Sequence, residues 1–226
     1  MYFKQFQDPE SFTYTYLLAD LTSKEAVLID PVKERVEDYL NELKSLGLHL
    51  KYTLDTHVHA DHITGSGLLR EKTGAESVLG EYTKATCVSK KAKDGEELSF
   101  GPYHIKVIYT PGHTPCHVAY LVEDRLFTGD ALFINGCGRT DFQGGSAESL
   151  WESVVGKLFK LPPDTLVYPG HDYKKHRVST IQQEKDLNPR FHQQTKASFV
   201  DLMKHLNLPD PKKIHEAVPA NETCGL

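Results

Sequence analysis

The chain has 226 residues, of which 39% are hydrophobic and 25% are charged, and its net charge is -5 at pH 7. This acidic balance offers no positive field for a phosphate backbone or an anionic membrane, which argues against both partners and favours a small-molecule substrate. No stretch approaches the ~18 apolar residues of a membrane span, and the first residues lack the pattern of a signal or transit peptide, so we expect a cytoplasmic protein.

Short stretches rich in β-branched and aromatic residues predict strands along most of the chain. They lie at 12–19, 25–30, 51–57, 104–110, 117–124, 125–130 and 165–171. Between the second and third of these, apolar residues recur every three or four positions from Val32, and Gly47 is a usual C-terminal stop, which together predict a helix. We expect this helix to lay one apolar face on a sheet.

The second half of the chain contains further helical patterns. A helix is predicted from Ala147 to Lys160, with Ser146 as its N-cap. Because strands and one-sided helices are interleaved in both halves, we expect an α/β fold in which helices cover sheets. A chain of this length can bury one large core, so we expect a single domain over residues 1–226 with a short helical C-terminal segment at about 180–226.

The stretch THVHADH, residues 56–62, holds three histidines and one aspartate in seven positions. His57 and His59 stand two apart at the end of a predicted strand, so on extended backbone both side chains project to the same side. Asp61 and His62 follow where the chain turns into the next helix. This density of ligand-type side chains is typical of a metal site.

Three more candidate ligands follow other predicted strands: His113 in TPGHTP, Asp130 in FTGDAL and His171 in YPGHDY. Each stands in a loop marked by glycine or proline, where a rigid scaffold presents functional side chains. The seven nitrogen and oxygen ligands together predict metal binding. Isolated histidines are interpreted as ordinary surface or core residues; they include His104, His117, His192 and His215.

In order along the chain, THVHADH, TPGHTPCH, FTGDALF and YPGHDY resemble the motif series of the metallo-β-lactamase superfamily. The resemblance implies an αββα sandwich, in which two mixed sheets are flanked by helices and metal ions lie at the edge where loops of both sheets meet. It says less about the reaction, because this fold hosts both hydrolases and oxygen chemistry.

Two metal centres can be built from these motifs. In a two-zinc hydrolase, His57, His59 and His113 hold one ion, Asp61, His62 and His171 hold the other, and Asp130 bridges them, so that a bound hydroxide attacks a thioester. In a mononuclear centre, the subset His57, His113 and Asp130 leaves three positions open on one Fe(II). The spacing of the motifs alone does not choose between them.

The stretch NGCGRTDFQGG, residues 135–145, discriminates between the two. It resembles the persulfide dioxygenase family, which shares GCGRTDFQ, whereas the similar glyoxalase II hydrolases tend to read GCGRFFEG. The stretches DLNPRF at 186–191 and AVPANETCGL at 217–226 resemble the same family. The resemblance therefore covers nearly the whole chain.

This resemblance implies a non-haem iron oxidoreductase that uses O2 and water to convert glutathione persulfide into sulfite and glutathione. His57, His113 and Asp130 are the implied ligands of one Fe(II) per chain, and His59, Asp61, His62 and His171 are implied to surround them without binding iron. The resemblance also suggests a homodimer, and a sulfur transferase (rhodanese) that supplies the persulfide. A glyoxalase II-like hydrolase with two zinc ions is the alternative.

Several residues are candidates for catalysis and for binding the substrate. Asp61 and His62 are catalytic candidates, and Arg139 joins them because a planar guanidinium can hold an anionic group of the substrate near the iron. The alternative for Arg139 is that it ties its loop to Asp141. Candidates for substrate binding are Arg139, His171, Tyr173 and Lys174, although the basic run at 174–177 is equally typical of a solvated face.

The four cysteines, Cys87, Cys116, Cys137 and Cys224, form no CxxC pair. A chain of this size can build its core without disulfides, so we expect all four to be reduced. Cys116 and Cys137 stand next to metal motifs, but the nitrogen and oxygen ligand set is complete without them. We therefore interpret both as small buried side chains.

Overall fold

The computed structural model describes residues 1–172, 176–206, 208–209 and 213–226. The described residues form twelve strands: Tyr2–Gln7 (β1), Tyr14–Ala19 (β2), Glu25–Ile29 (β3), His49–Leu54 (β4), Glu76–Gly80 (β5), Lys90–Ala92 (β6), Glu97–Phe100 (β7), Tyr103–Tyr109 (β8), Val118–Val122 (β9), Arg125–Gly129 (β10), Leu166–Pro169 (β11) and Ser179–Thr180 (β12). They also form six α-helices: Val36–Leu46 (α1), Ser66–Thr73 (α2), Ala147–Trp151 (α3), Ile181–Leu187 (α4), Lys196–Lys204 (α5) and Ile214–Glu222 (α6).

The strands form two six-stranded mixed sheets. The first has the order β1-β2-β3-β4-β5-β6, antiparallel from β1 to β3 and parallel from β3 to β6. The second has the order β12-β11-β10-β9-β8-β7 and is antiparallel except between β10 and β11. The chain completes the first sheet before it begins the second.

The two sheets pack face to face over a shared apolar core. Leu18 and Ile29 of the first sheet belong to the same buried cluster as Val107, Tyr120 and Phe127 of the second. Since side chains alternate along a strand, the neighbours of these residues point to the opposite faces. Both halves of the chain therefore contribute to this core.

Helices cover the outer face of each sheet. Leu17 and Leu28 of the first sheet pack with Tyr39 of α1 and Leu69 of α2. On the second sheet, a separate cluster joins β9, β10 and β11 to α3, α4 and α5. This αββα arrangement confirms the predicted fold class. Within the described ranges, no helix has both the length and the apolar composition needed to cross a membrane.

The local signals in the sequence were accurate at several helix ends. Gly47 ends α1 with a left-handed φ of 63°, and the Ser146 side chain caps α3 by accepting a hydrogen bond from the amide of Ser149. The helix predicted over 147–160 is present, but after Trp151 it widens into a π-helical stretch, Glu152–Lys157, and a 3-10 turn, Leu158–Lys160.

Helix α6 falls within the predicted helical C-terminal segment, but its own stretch has no local helical signal, because Pro219 lies inside it. A proline in a helix interior costs about 3 kcal/mol, so the pattern reads as a tail with a turn. Tertiary contacts offset this cost, since Ala217 and Asn221 of the helix are buried. Five of the described strands lie outside the predicted ranges: β1, β5, β6, β7 and β12.

The prediction that all four cysteines are reduced was wrong. Cys87 and Cys224 form a disulfide across a sequence separation of 137 residues, with their Cα atoms 6.0 Å apart. The pairing depends on the C-terminal helix folding back against the loop that holds Cys87, which no local spacing reveals. Cys116 is free and buried, as expected, and Cys137 is free and half-buried.

Candidate metal centre

The predicted ligands come directly after the ends of strands from both sheets. His57 follows β4, His113 follows β8, Asp130 follows β10 and His171 follows β11. Gly129 makes the approach of β10 possible: its φ is +47°, and a Cβ atom there would lie 2.4 Å from Oγ1 of Thr56. Only glycine meets both requirements without strain.

His57, His113 and Asp130 form a triad whose potential ligand atoms all lie within 4.8 Å of one another. Nε2 of His113 is 3.6 Å from Oδ2 of Asp130, and the rings of His57 and His113 meet edge to face with centroids 4.8 Å apart. All three residues are largely withdrawn from solvent. The structure thus brings together the three residues predicted to hold one metal ion.

A second contact orients each member of the triad. Nδ1 of His57 lies 2.9 Å from Oγ1 of Thr56, and Nδ1 of His113 donates to the carbonyl oxygen of Arg139 over 2.7 Å. Oδ1 of Asp130 accepts from Nδ1 of His171 over 2.9 Å. Such partners fix the orientation of metal ligands, and here they leave one atom of each side chain for a metal.

The charge states of the triad suit metal binding. Burial lowers the pKa of His57 well below its usual range, so its imidazole is neutral and keeps a lone pair. Burial alone would raise the pKa of Asp130, but His171 outweighs it and lowers that pKa to about 2. With His113, these two side chains offer two histidine nitrogens and one carboxylate, a donor set that fits Fe(II).

The remaining predicted ligands form a second cluster. Possible ligand atoms of His59, Asp61 and His62 lie within 4.8 Å of one another. Oδ2 of Asp61 lies 3.0 Å from Nδ1 of His62 and 2.8 Å from Nε2 of His171. Burial opposes ionisation of Asp61, yet the two histidines hold its pKa well below the usual value.

The hydroxyl of Thr13 lies among these side chains. Its Oγ1 is 3.1 Å from Oδ2 of Asp61, 3.2 Å from Nδ1 of His62 and 3.1 Å from Nε2 of His171. Oδ2 of Asp61, Nδ1 of His62 and Nε2 of His171 are therefore hydrogen-bonded to Thr13 or to one another. Thr13 is fully buried, so its hydroxyl makes these three contacts inside the protein and not at the surface.

One ring nitrogen of His59 is engaged by a buried carboxylate. Its Nε2 lies 3.2 Å from Oδ1 of Asp30; burial lowers the pKa of His59, but Asp30 outweighs it and raises that pKa to about 9. Among the described residues, Nδ1 of His59 and Nε2 of His62 are buried without a hydrogen-bond partner. These two atoms keep a second metal ion chemically conceivable.

Sequence reasoning missed several residues of the site. Asp30 follows β3 as Asp130 follows β10, so its position at a strand end was an available signal. His117 is a satisfied core residue, as interpreted, yet its Nε2 accepts from the amide of Asp130 over 3.1 Å. Thr13 is distant in sequence from every ligand motif, and Asn221 lies in the stretch AVPANETCGL, where no local signal indicates a contact with the ligand loop.

The loop at 135–145, whose sequence discriminated between the two families, forms hydrogen bonds with the loops that carry the predicted metal ligands. Arg139 supplies the carbonyl that holds His113, and Nε2 of Gln143 donates to the carbonyl of Val58 over 2.9 Å. A Cβ atom at Gly138 would lie 2.4 Å from the carbonyl oxygen of Asp130. This loop therefore sets the geometry of the metal centre.

A cavity of about 770 Å³ opens beside the triad, where His113 and Asp130 form part of its wall. Three cationic residues, Arg139, Arg190 and Lys213, line it as well. Pockets of about 300–1,000 Å³ are the usual size for small-molecule ligands. The same cavity is therefore lined by members of the metal triad and by cationic side chains.

The predicted substrate-binding residues differ from one another in their positions. Arg139 lines the cavity, but its guanidinium makes a bidentate ion pair with Asp141, with both N–O distances 2.7 Å. His171 also lines it. Tyr173 and Lys174 lie outside the described residues, so their predicted role stays a prediction.

Comparison with known proteins agrees with this geometry. Residues 8–87 and 88–171 match the model of the metallo-beta-lactamase superfamily. The mitochondrial persulfide dioxygenase ETHE1 of Homo sapiens is 48% identical over 226 residues, which span 99% of this chain and 88% of the relative. The crystal structure of ETHE1 from Myxococcus xanthus has 50% sequence identity and a TM-score of 0.98, with 100% of both chains covered.

A hydrolase is more distant. The hydroxyacylglutathione hydrolase of Dictyostelium discoideum is 37% identical over 169 residues, which span 71% of this chain and 62% of the relative. The match to the dioxygenases is both closer and more complete. The chain therefore belongs to the persulfide dioxygenase family of the metallo-β-lactamase superfamily.

Proposed function

We propose that this protein is a glutathione-dependent persulfide dioxygenase, which uses O2 and water to oxidise the terminal sulfur of glutathione persulfide to sulfite, with release of glutathione. The observation that carries the proposal is the triad His57, His113 and Asp130, in which a second contact on each side chain leaves one atom for a metal. The name of the relative from Homo sapiens supports the same reaction.

We propose one Fe(II) per chain at this triad. Three protein ligands on one face leave three positions for substrate and oxygen. Iron supplies the one-electron chemistry that O2 requires, whereas zinc has no accessible redox change. The cluster around Thr13 supports a single ion, since Asp61, His62 and His171 already share hydrogen bonds.

The residues around the triad have separate roles in this proposal. His171 holds the Asp130 carboxylate in place through Nδ1. Asp61 lines the cavity, with His62 hydrogen-bonded to it from the buried side, so this carboxylate would hold the water that the reaction consumes. Arg139 keeps the loop in register and lines the cavity that receives the glutathione moiety.

The cavity wall suits a substrate with carboxylates. Arg190 is half-exposed and lines the cavity, and among the residues that the structure describes no ion pair includes it. Lys213 is already paired with Glu10 at 2.8 Å. We therefore propose Arg190 as a cation that meets a carboxylate of glutathione persulfide, in addition to the predicted Tyr173 and Lys174.

One observation favours a second candidate, a glyoxalase II-like hydrolase with two zinc ions. The cluster of His59, Asp61 and His62 retains atoms able to bind a second ion. In such a hydrolase, two zinc ions would supply the nucleophile for hydrolysis of a thioester. The relative from Dictyostelium discoideum carries the name of such an enzyme.

Metal content and oxygen uptake separate the two candidates. The protein is purified without added metal, its ions are counted, and portions are loaded anaerobically with Fe(II) or Zn(II). We expect one iron per chain, O2 consumption and sulfite release from glutathione persulfide with the iron form alone. Two zinc ions per chain, turnover of lactoylglutathione and no O2 uptake would overturn the proposal.

Two variants serve as controls for this experiment. Asp130→Asn keeps the size of the side chain but removes the charge that binds the metal, so O2 uptake should disappear together with the iron. Glu97→Gln changes an exposed carboxylate of β7 on the second sheet, away from the triad. It should retain the iron content and the rate of the unaltered protein.

We also propose a homodimer in the cytoplasm that receives its persulfide from a sulfur transferase. The curated mammalian relatives are named as mitochondrial, so compartment is tested separately from reaction. Sedimentation of the purified protein and fractionation of the source cells check the first two points. A monomeric mass, or recovery of the protein outside the cytoplasmic fraction, would contradict them.

A further inference from the structure

One buried side chain near the C-terminus holds the loop that carries the histidine motif. Nδ2 of Asn221 donates to the carbonyl of His59 over 2.9 Å and to that of His62 over 2.8 Å. Its Oδ1 accepts from the amide of Thr64 over 2.8 Å. Both polar atoms of the Asn221 side chain therefore form hydrogen bonds with the backbone of residues 57–64, which we call the metal loop.

The residues after Asn221 continue the contact. The amide of Gly67 donates to the carbonyl of Cys224 over 3.0 Å, and Gly225 lies so close to the chain that a Cβ atom there would be 2.1 Å from the carbonyl oxygen of Thr64. Lys33 reaches the carbonyl of Gly225 over 2.5 Å. The end of the chain thus lies directly on the metal loop and the start of α2.

A covalent bond secures this contact. Cys224, three residues after Asn221, forms the disulfide with Cys87. A cavity of about 10 Å³, room for about one water molecule, is lined by His57, His59, Asn221 and Cys224. The disulfide therefore lies next to the metal loop, and neither of its cysteines lines the substrate cavity.

We propose that Cys87–Cys224 is a thiol-responsive modification site that controls how firmly Asn221 holds the metal loop. The reductant is a low-molecular-weight thiol. Cys224 is buried and Cys87 is half-buried, so the attack is directed at the sulfur of Cys87. The link to turnover rests on the proposed function, because glutathione is a product of that reaction.

The exchange proceeds in two balanced steps. A small thiolate attacks Sγ of Cys87, the bond between the two cysteine sulfurs breaks, and Cys224 leaves as a thiolate that takes up a proton. A second small thiolate then attacks the mixed disulfide, which releases Cys87 and a disulfide of the small thiol. Two electrons pass from two small thiols to the protein, whose C-terminal segment is then held by noncovalent contacts alone.

The test compares the oxidised and reduced forms of the full-length protein. Oxidised protein is treated with glutathione or dithiothreitol, and its free thiols are counted by alkylation after unfolding in acid. We expect two thiols before treatment, from Cys116 and Cys137, and four after it. In the reduced form, amide exchange of residues 57–64 and release of bound metal to a chelator should each rise by about tenfold, the effect of losing support behind metal ligands.

Three variants isolate the cause. Cys87→Ser should show the fast exchange and fast metal release without any thiol, and should not respond to one. Asn221→Ala should show the same fast release with its disulfide intact. Cys116→Ala, which removes a cysteine outside the pair, should retain the full response to dithiothreitol.

Two results would overturn the proposal: four free thiols in protein purified and oxidised without reductant, or equal loop exchange and metal release in both redox states. If Asn221→Ala does not fold, Cys87→Ser and the thiol titration still decide between these outcomes. Neither readout requires turnover. A protein that shows the redox response but never consumes O2 would refute the proposed function and leave this site standing.

Discussion

Nδ1 of His171 donates to Oδ1 of Asp130 over 2.9 Å, and this bond selects the carboxylate oxygen that remains for a metal ion. The other oxygen, Oδ2, lies 3.6 Å from Nε2 of His113, within the triad. The second nitrogen of His171 lies 2.8 Å from Asp61. His171 therefore acts as a bridge between two carboxylates, so its position supports the orientation of Asp130.

If His171 only orients Asp130, its removal should weaken the metal site without destroying it. We expect His171→Ala to lower iron affinity by about 10-fold to 100-fold, the usual effect of removing a partner of a ligand. Competition with a chelator of known affinity measures this. Complete loss of iron, as expected for Asp130→Ala, would show that His171 is itself a ligand.

A second prediction concerns which histidines bind the metal ion and which only surround it. His57→Ala and Asp130→Ala should each abolish iron binding, whereas His59→Ala should retain most of it, because Nε2 of His59 faces Asp30. Metal analysis of the purified variants is the measurement. Equal losses in the His57 and His59 variants would mean that both histidines bind the ion.

Thr13 is predicted to limit the number of metal ions. Its hydroxyl bonds to Asp61, His62 and His171, so Thr13→Ala should free these side chains and admit a second ion. Titration with Zn(II) should give about two ions per chain in the variant and one in the unaltered protein. Thr13→Ser retains the hydroxyl and is the matched control. One ion in all three proteins would contradict the prediction.

Arg190 should affect binding of the substrate more than the chemical step. A cation that meets a carboxylate far from the reacting sulfur contributes equally to ground and transition states, so Arg190→Ala should raise KM with little change in kcat. A lost charged hydrogen bond of about 1.5–3 kcal/mol corresponds to roughly a 10-fold to 150-fold increase. Arg190→Lys should recover part of it. A fall in kcat alone would place Arg190 in another role.

His117 should make the metal-free protein sensitive to acid. Burial lowers the pKa of His117 to about 3, whereas an unfolded histidine titrates near 6.5. As pH falls from about 6.5 toward 3, the unfolded chain therefore binds a proton that the folded chain does not, and folding loses up to about 1.4 kcal/mol per pH unit from this group. Above that window its stabilising effect is complete.

Urea denaturation at pH 7 and pH 5 measures this contribution. His117→Gln retains a polar side chain that does not titrate, so the free energy of unfolding should depend less steeply on pH in the variant. His57, whose pKa burial also lowers, remains in the variant, so some dependence of stability on pH should persist. Identical slopes would show that His117 titrates normally in the folded state.

Much of the fold could be predicted from local patterns. The β-branched and aromatic residues along β2 and β10, the helical spacing in α1 and the stop at Gly47 all act over a few residues, and the structure retains these elements. Pro219 shows the limit of such patterns. The sequence predicts a break there, but packing in the folded chain outweighs the local cost and keeps the helix.

The sequence by itself predicted the fold class, the family and the side chains that meet at the candidate metal centre, because each ligand motif closely follows a strand and these strands end near one site. Only the tertiary structure decided which oxygen of Asp130 remains for a metal, that Thr13 lies within the second cluster, and that Asn221 and the Cys87–Cys224 bond support the metal loop. These contacts join positions between 41 and 162 residues apart. The packing of the two sheets and of the C-terminal helix decides which of these residues meet. The spacing of residues along the chain does not encode that packing.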